Sequence, residues 1–303
     1  MSKRDYPSGV PAIRPSVSLS LVPEAVGGPF VLQDSLADGI RRAAALGFPA
    51  VEILARSVEQ VPVRELKAVL TETGMAVSAF ATGGGFMLRR LHLSHPDAAV
   101  RQQAFRFILD FIALAAEVGS SPVVGLMRGV VERGDSPAEA RQRMEDAVAA
   151  LDEAAGRAGV TLLIEPINRY ETGLINRLDE GVALIETRRL AHTRLLADTF
   201  HMNIEEGAVE AALAAAAKHI GHVHWADSNR RPPRNGHLDF AAIGAALRGA
   251  GYAGYVAFEC LPYPDPDRAA VDCLKAFRAV FGPGAGDGVT ESTRHEVKRR
   301  GRT

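Results

Sequence analysis

The sequence predicts a single (β/α)₈ barrel, because eight short apolar segments alternate with longer helical patterns along the 303 residues. The predicted strands are 16–22, 50–54, 76–80, 122–126, 161–165, 194–198, 220–225 and 255–259. Most are continuous apolar runs, as expected for a parallel sheet whose outer face is covered by helices. The alternative, a doubly wound open sheet, usually has a glycine-rich turn after its first strand, whereas here Pro23 and Glu24 follow that strand.

Helical patterns fill the intervals between the predicted strands. They cover 33–46, 62–73, 97–118, 136–157, 178–188, 208–217, 239–250 and 266–281. The helix at 136–157 has the clearest boundaries. Ser136 is placed to cap its free amide groups, Pro137 suits the first helical position, and Gly159 ends it. We therefore expect one barrel domain over 16–281, with flexible tails at 1–15 and 282–303, the second of which ends in a basic run.

The amino-acid composition makes several classes of protein unlikely. There are 35 Lys and Arg against 36 Asp and Glu, a net charge of −1, so no basic field attracts nucleic acid or an anionic membrane. No apolar run approaches the ~20 residues that a membrane span needs. The first residues lack the apolar block of a secretory signal, and two cysteines cannot form a disulfide framework. We therefore expect a cytoplasmic protein without nucleic-acid or membrane partners.

Four consecutive predicted strands each end in a residue that can bind a metal ion. Glu165, Asp198, His224 and Glu259 close strands five to eight. The carboxyl ends of barrel strands meet at one rim, where the active sites of such barrels lie. A single acidic residue at a strand end is usually a helix cap or a surface charge. Four on adjacent strands indicate a divalent cation bound by oxygen and nitrogen, with Mn²⁺ favoured and Mg²⁺ or Co²⁺ as alternatives.

The segments around these residues carry a family resemblance. They read EPINRYE from residue 165, DTFHMN from 198, HWADSNR from 224 and ECLP from 259, and LSHPDAAVR at 93–101 adds to them. Together they resemble the xylose-isomerase-like barrel superfamily of sugar isomerases and epimerases. Within it they are most similar to ketose 3-epimerases of the D-tagatose/D-psicose type and to 5-keto-L-gluconate epimerase. The resemblance spans about residues 16 to 280.

The resemblance implies roles for particular residues. It implies that Glu165, Asp198, His224 and Glu259 bind the metal ion, and that Glu165 and Glu259 also exchange the substrate proton. It further implies that the oxygens at the reacting end of a sugar or sugar acid are bound by three more residues, Glu171, His201 and Arg230. Relatives of this kind are often dimers or tetramers, so we expect a homo-oligomer.

Chemistry supports an isomerase that epimerises a ketose or keto-sugar acid. Removal of a proton next to a ketone leaves an enediolate, whose charge a divalent cation stabilises. Inversion then needs a base on one face and an acid on the other, which two carboxylates on non-adjacent strands supply. Two alternatives stay open: a metal-dependent dehydratase of a keto-cyclitol or dehydroshikimate-type substrate, and an aldose–ketose isomerase of the hydroxypyruvate type. An endonuclease of this fold would need a basic DNA-binding face.

Three further positions have two interpretations each. Glu52 is either a residue of the barrel rim or a buried partner of other polar groups. His222 is either a hydrogen-bonded residue of the barrel core or a second-layer residue that supports the metal ligands. The run 83–85 of three glycines is expected to form a flexible loop over the site. Arg234 stands where the family usually has glycine, so it is either simply exposed or a contact for a substrate carboxylate or phosphate.

Overall fold

Eight parallel strands close into a barrel in chain order in the computed structural model, which describes residues 13–282. The strands are β1 Arg14–Ser20, β2 Ala50–Leu54, β3 Ala76–Ala81, β4 Pro122–Val124, β5 Leu162–Ile164, β6 Thr193–Asp198, β7 Ile220–His224 and β8 Tyr255–Phe258. Each pairs in parallel with its neighbours, and β1 closes the ring on β8. The predicted (β/α)₈ barrel is confirmed.

Helices surround the barrel. They are α1 Leu36–Leu46, α2 Val63–Thr73, α3 Gly84–Arg89, α4 Ala98–Val118, α5 Pro137–Ala158, α6 Leu178–Arg188, α7 Thr199–Glu205, α8 Val209–Ala215, α9 Phe240–Gly249 and α10 Pro266–Phe281. At the start of α5, Ser136 accepts a hydrogen bond from the amide of Glu139, and Gly159 ends the helix with a φ of 70°. The caps expected from the sequence therefore form. Within residues 13–282, none of these helices combines the length and the apolar character needed to span a membrane.

Three features differ from the sequence-based expectation. β1 begins at Arg14, inside the segment expected to be a tail, because Arg14 and Pro15 pair with the start of β8. Residues 84 and 85 are not a flexible loop but the first turn of α3. The short helix α7 was not predicted, and it begins directly after β6. The remaining parts of the two expected tails, 1–12 and 283–303, lie outside the described residues.

The barrel interior is divided between apolar and polar side chains. Ala79, Val123, Leu163 and Leu196 form a small apolar cluster inside the barrel on β3 to β6. Buried polar side chains stand on several strands, among them Glu52 of β2, Ser78 of β3 and His222 of β7. The larger hydrophobic core lies between the strands and the helices. Buried polar side chains inside the barrel consequently lie directly beneath the polar residues at the carboxyl ends of β5 to β8.

Candidate active site

The structure brings the four predicted metal ligands together at the carboxyl-terminal rim. Asp198 and His224 are the last residues of β6 and β7, and Glu165 and Glu259 directly follow β5 and β8. One ligand atom from each lies within 4.8 Å of the others. Asp198 and His224 are direct partners in the sheet, whereas Glu259 stands two residues beyond Ala257, the partner of His224. The four positions converge because the carboxyl ends of successive parallel barrel strands meet at one rim.

His224 stands at the centre of this cluster. Its Nδ1 atom lies 3.6 Å from Oδ2 of Asp198, 3.6 Å from Oε2 of Glu259 and 3.8 Å from Oε1 of Glu165. The other ring nitrogen, Nε2, lies 2.9 Å from Oε1 of Glu52. When the neutral ring donates its Nε2 proton to Glu52, the lone pair of Nδ1 points toward the three carboxylates.

The two carboxylate oxygens of Asp198 have different surroundings. Its Oδ1 atom accepts hydrogen bonds from the amides of Phe200 at 2.8 Å and of His201 at 3.4 Å, which caps the start of α7. Its Oδ2 atom is buried and makes no hydrogen bond with the described residues. The helix-cap and metal-ligand interpretations of this residue are therefore compatible, because each applies to a different oxygen.

These residues fit a divalent cation. Oδ2 of Asp198 and Nδ1 of His224 are both buried and lack a hydrogen-bond partner within residues 13–282, although such atoms are nearly always paired. Both face the carboxylates of Glu165 and Glu259. Three carboxylates and one imidazole form the mixed oxygen and nitrogen set that suits Mn²⁺, Mg²⁺ or Co²⁺ rather than a thiolate zinc site.

The pKa values of the cluster reflect its crowding. Burial, together with the charges of Glu259 and Asp198, raises the pKa of Glu165 well above its usual range. Burial alone would raise the pKa of Asp198 too, but Arg230 and His201 outweigh it and hold that pKa well below its usual range. Glu52 and Glu259 overcome the burial of His224 and raise its pKa. The cluster therefore attracts positive charge, whether a proton or a metal ion.

Arg230 neutralises part of this negative charge. Its NH2 group donates to Oε2 of Glu259, and NH1 lies 3.3 Å from Oδ2 of Asp198. The guanidinium also lies 4.5 Å from the ring centre of Phe200. The residue has a φ of 61°, so its backbone turns sharply to direct the side chain into the site.

His201 and Glu171 complete the polar end of the site. Nδ2 of Asn168 donates to Nδ1 of His201 at 2.7 Å and to Oε1 of Glu171 at 3.0 Å. Burial and the positive charge of Arg230 lower the pKa of His201 to about 3, although Asp198 opposes them. His201 is therefore neutral, and its Nε2 atom lies 3.2 Å from NH1 of Arg230, a group that can only donate.

A cavity of about 410 Å³ opens above the cluster. Glu165, His224 and Glu259 contribute to its floor, and all three predicted substrate-binding residues, Glu171, His201 and Arg230, line it as well. The side chain of Arg234 is exposed and does not line the cavity, and its φ of 77° is one that glycine adopts more readily than arginine.

Glu52 is the buried partner that the sequence left as one of its two interpretations, and Gly125 was not identified from the sequence. Oε2 of Glu52 lies 2.8 Å from Nε2 of His222 and 3.0 Å from Nε2 of His224, so it links both histidines of β7. At the end of β4, a Cβ atom on Gly125 would overlap Oε2 of Glu165. The inward spacing of residues 222 and 224 was the only sequence signal for the first contact, and no signal existed for the second.

Comparisons with known proteins agree with this architecture. Residues 40–279 match the family model described as a xylose isomerase-like TIM barrel. The chain is 31% identical over 247 residues to the 3-dehydro-D-guloside 4-epimerase of Escherichia coli, which covers 77% of this chain and 90% of that protein. It is 30% identical over 252 residues to the D-psicose 3-epimerase of Agrobacterium fabrum, with coverage of 80% and 84%.

Solved structures give the same result. The apo structure of the 3-keto-D-glucoside 4-epimerase from E. coli superposes with a TM-score of 0.76 at 27% identity, covering 88% of this chain and 100% of that one. The structure of an L-ribulose 3-epimerase gives a TM-score of 0.75 at 26% identity, with coverage of 89% and 95%. All of these relatives are named as epimerases, which are isomerases that act on sugars. The chain thus belongs to the xylose isomerase-like TIM-barrel family, among relatives that are ketose 3-epimerases and keto-sugar 4-epimerases.

Proposed function

We propose that this protein is a divalent-metal-dependent epimerase that inverts a carbon next to the ketone of a ketose or keto-sugar. The observation that carries the proposal is the convergence of three carboxylates on Nδ1 of His224, at the floor of a cavity. Glu165, Asp198, His224 and Glu259 would hold the cation. Mn²⁺ is our first choice, with Mg²⁺ and Co²⁺ as alternatives.

When bound, the cation supplies Lewis acidity, which makes the hydrogen next to the ketone more acidic and stabilises the negative charge of the enediolate. Glu165 and Glu259 are the proposed pair of proton-transfer groups. They follow β5 and β8, so they reach the cavity from either side of the Asp198 and His224 positions. One carboxylate removes the proton from one face of the sugar carbon, and the other returns a proton to the opposite face.

Glu171, His201 and Arg230 are the proposed contacts for the sugar oxygens at the reacting end. His201 is held between Asn168 and Arg230, and Arg230 carries a permanent positive charge. Arg230 can therefore stabilise negative charge that develops on a substrate oxygen. The sugar is the only partner we assign from this site, and the homo-oligomer expected from the sequence stays a prediction.

Solvent exchange tests the proposal. Protein stripped with a chelator and reloaded with Mn²⁺, Mg²⁺ or Co²⁺ is incubated in D₂O with a panel of ketoses and keto-sugars. We expect an epimer with deuterium at the inverted carbon, formed only by the metal-loaded protein. An isomer without deuterium would indicate a hydride shift, and loss of water would indicate the dehydratase, which the epimerase relatives do not favour. Either result, or no reaction with any sugar, would contradict the proposal.

A further inference from the structure

A second group of metal-ligand side chains lies outside the cavity. His92, His95 and Glu132 each offer one ligand atom, and these three atoms lie within 4.8 Å of one another. The two histidines stand between α3 and α4, and Glu132 stands between β4 and α5. None of the three residues lines the cavity. This group, termed the His92 cluster below, is therefore separate from the proposed active site.

The hydrogen bonds of the buried His92 ring identify the nitrogen that carries its proton. The hydroxyl of Ser94 donates its single hydrogen to the carbonyl oxygen of Val130 at 2.7 Å. Oγ of Ser94 can therefore only accept from Nδ1 of His92, which lies 3.0 Å away. Gly129 packs against both side chains, because a Cβ atom there would overlap Nδ1 of His92 and Oγ of Ser94. The neutral ring is thus fixed with its proton on Nδ1 and a lone pair on Nε2.

This lone pair of His92 faces a carboxylate. Nε2 lies 3.2 Å from Oε1 of Glu132, and neither atom carries a hydrogen when the ring is neutral. Burial lowers the pKa of His92 although Glu132 opposes that effect, so the ring is neutral at physiological pH. Two acceptor atoms at this distance repel each other. A cation that binds both atoms removes the repulsion and satisfies the buried nitrogen.

The other contacts of the His92 cluster can be exchanged for water. The ring centre of His95 lies 4.9 Å from that of His92. Nδ1 of His95 accepts from the amide of Asp97 at 3.0 Å in an exposed contact. A cation at Nε2 of His95 moves the ring proton to Nδ1, and the amide of Asp97 then binds water instead. Arg90 donates to Oε1 of Glu132 at 3.3 Å, but its side chain is 60% exposed and can turn into solvent.

We propose that the His92 cluster is a second cation site, which binds Zn²⁺ through two imidazoles and one carboxylate. Two histidines and one glutamate form a known ligand set for Zn²⁺. The proposed active site has three carboxylates and one imidazole instead, a set that suits Mn²⁺ or Mg²⁺ better. The bound ion joins the chain before α4 to the chain before α5. It also supports α3, because the ring of Phe86 packs edge-on against His92 at 5.8 Å between ring centres.

Counting bound zinc tests this proposal. Protein is stripped with a chelator and dialysed to equilibrium against buffered Zn²⁺, up to the concentration at which binding to the wild type levels off. His95→Gln and Glu132→Gln each remove one ligand, and we expect each variant to bind one zinc ion fewer per chain. His219→Gln is the matched control, because His219 faces Glu186 at 3.3 Å but belongs to no group of three ligands within residues 13–282. Equal zinc content in the wild type and both cluster variants would overturn the proposal.

Anomalous diffraction at the zinc absorption edge locates the ion in the unmodified protein. We expect a peak between the side chains of His92, His95 and Glu132 in crystals grown with Zn²⁺. The absence of a peak there would overturn the proposal. A peak without the loss of zinc in the variants would show binding at crystal concentration only, and would overturn it too. Deuterium exchange judges the proposed function separately, because the His92 cluster can hold zinc whether or not the protein epimerises a sugar.

Discussion

Glu52 and His224 stand 172 residues apart, yet an oxygen of the first lies 2.9 Å from Nε2 of the second, inside the barrel. Both side chains are buried, and Glu52 also contacts His222. Burial alone would raise the pKa of Glu52, but the two histidines hold it well below its usual range, so it stays a carboxylate. An ionised Glu52 fixes the ring of His224 with Nδ1 toward the cavity and makes that nitrogen a better ligand.

Replacement of Glu52 should therefore weaken metal binding without removing any ligand. We expect Glu52→Gln to lower the affinity for Mn²⁺ about 10- to 100-fold, because an amide holds the imidazole less firmly and adds no negative charge. Metal titration by calorimetry measures the change, and excess metal should restore much of the activity. Glu72→Gln is the control, since Glu72 is an exposed carboxylate that binds Arg41. Wild-type affinity in the Glu52 variant would show that His224 needs no such support.

Asp198→Asn should separate the helix-capping role of Asp198 from its proposed role as a metal ligand. The amide oxygen can still accept from Phe200 and His201, so α7 should keep its cap and the metal-free protein its stability. The variant should lose the stabilisation that metal gives, which for the wild type is about 2.7 kcal/mol at a hundredfold excess over Kd. Thermal unfolding with and without Mn²⁺ measures both effects. An equal metal-induced shift in the two proteins would remove Asp198 from the ligand set.

Glu259→Gln should abolish solvent exchange while the fold persists. Loss of a proton-transfer group reduces turnover about 10²- to 10⁴-fold, and the amide retains the shape of the side chain. Because Glu259 is also a proposed ligand, exchange is measured at metal concentrations shown by titration to saturate the variant. Glu24→Gln serves as the comparison, since Glu24 lines the same cavity but binds Arg56. Full activity in Glu259→Gln would contradict its role.

Gly125→Ala should impair catalysis through Glu165. An added methyl group would overlap Oε2 of Glu165, so the carboxylate must move. A displacement of about 1 Å in a catalytic group reduces turnover about a hundredfold, and we expect a loss of that order with the fold intact. Gly207→Ala is the matched control, because a Cβ atom there meets nothing within 4 Å. Steady-state kinetics and circular dichroism compare the two variants, and equal kinetics would show that Glu165 tolerates the shift.

Asp152 offers a prediction about stability alone. Its Oδ1 atom accepts from the amide of His192 at 2.8 Å and from the hydroxyl of Thr193 at 2.6 Å, which ties α5 to the start of β6, at the end opposite the site. Asp152→Ala leaves these donors unpaired and should lower the free energy of unfolding by about 2 kcal/mol. Urea denaturation measures it, with exposed Glu153→Ala as the control. A turnover change in the folded variant would contradict a purely structural role.

The sequence predicted the barrel well because its signals are local. Apolar runs mark strands that are buried on both faces, and Ser136 and Gly159 mark the ends of a helix through hydrogen bonds made within a few residues. The positions of the proposed metal ligands could also be predicted from the sequence, because strand order alone brings the ends of β5 to β8 together.

What the sequence did not predict depends on contacts across the barrel. The pairing of Glu52 with His224 joins β2 to β7, and no local pattern encodes it. The space at Gly125 is defined by Glu165 of the next strand. Helices α3 and α7 are short, so their periodic signal is weak; α3 also begins with glycines, which normally disfavour helices.

The lining of the cavity comes from both halves of the chain, which has a consequence for how such a protein changes over time. Groups proposed to carry out the reaction come from the second half of the chain, whereas the segments 24–30 and 83–87 shape the space for the rest of the ligand. Substitutions in these early segments can therefore alter which compounds are accepted while the later residues keep the same chemistry.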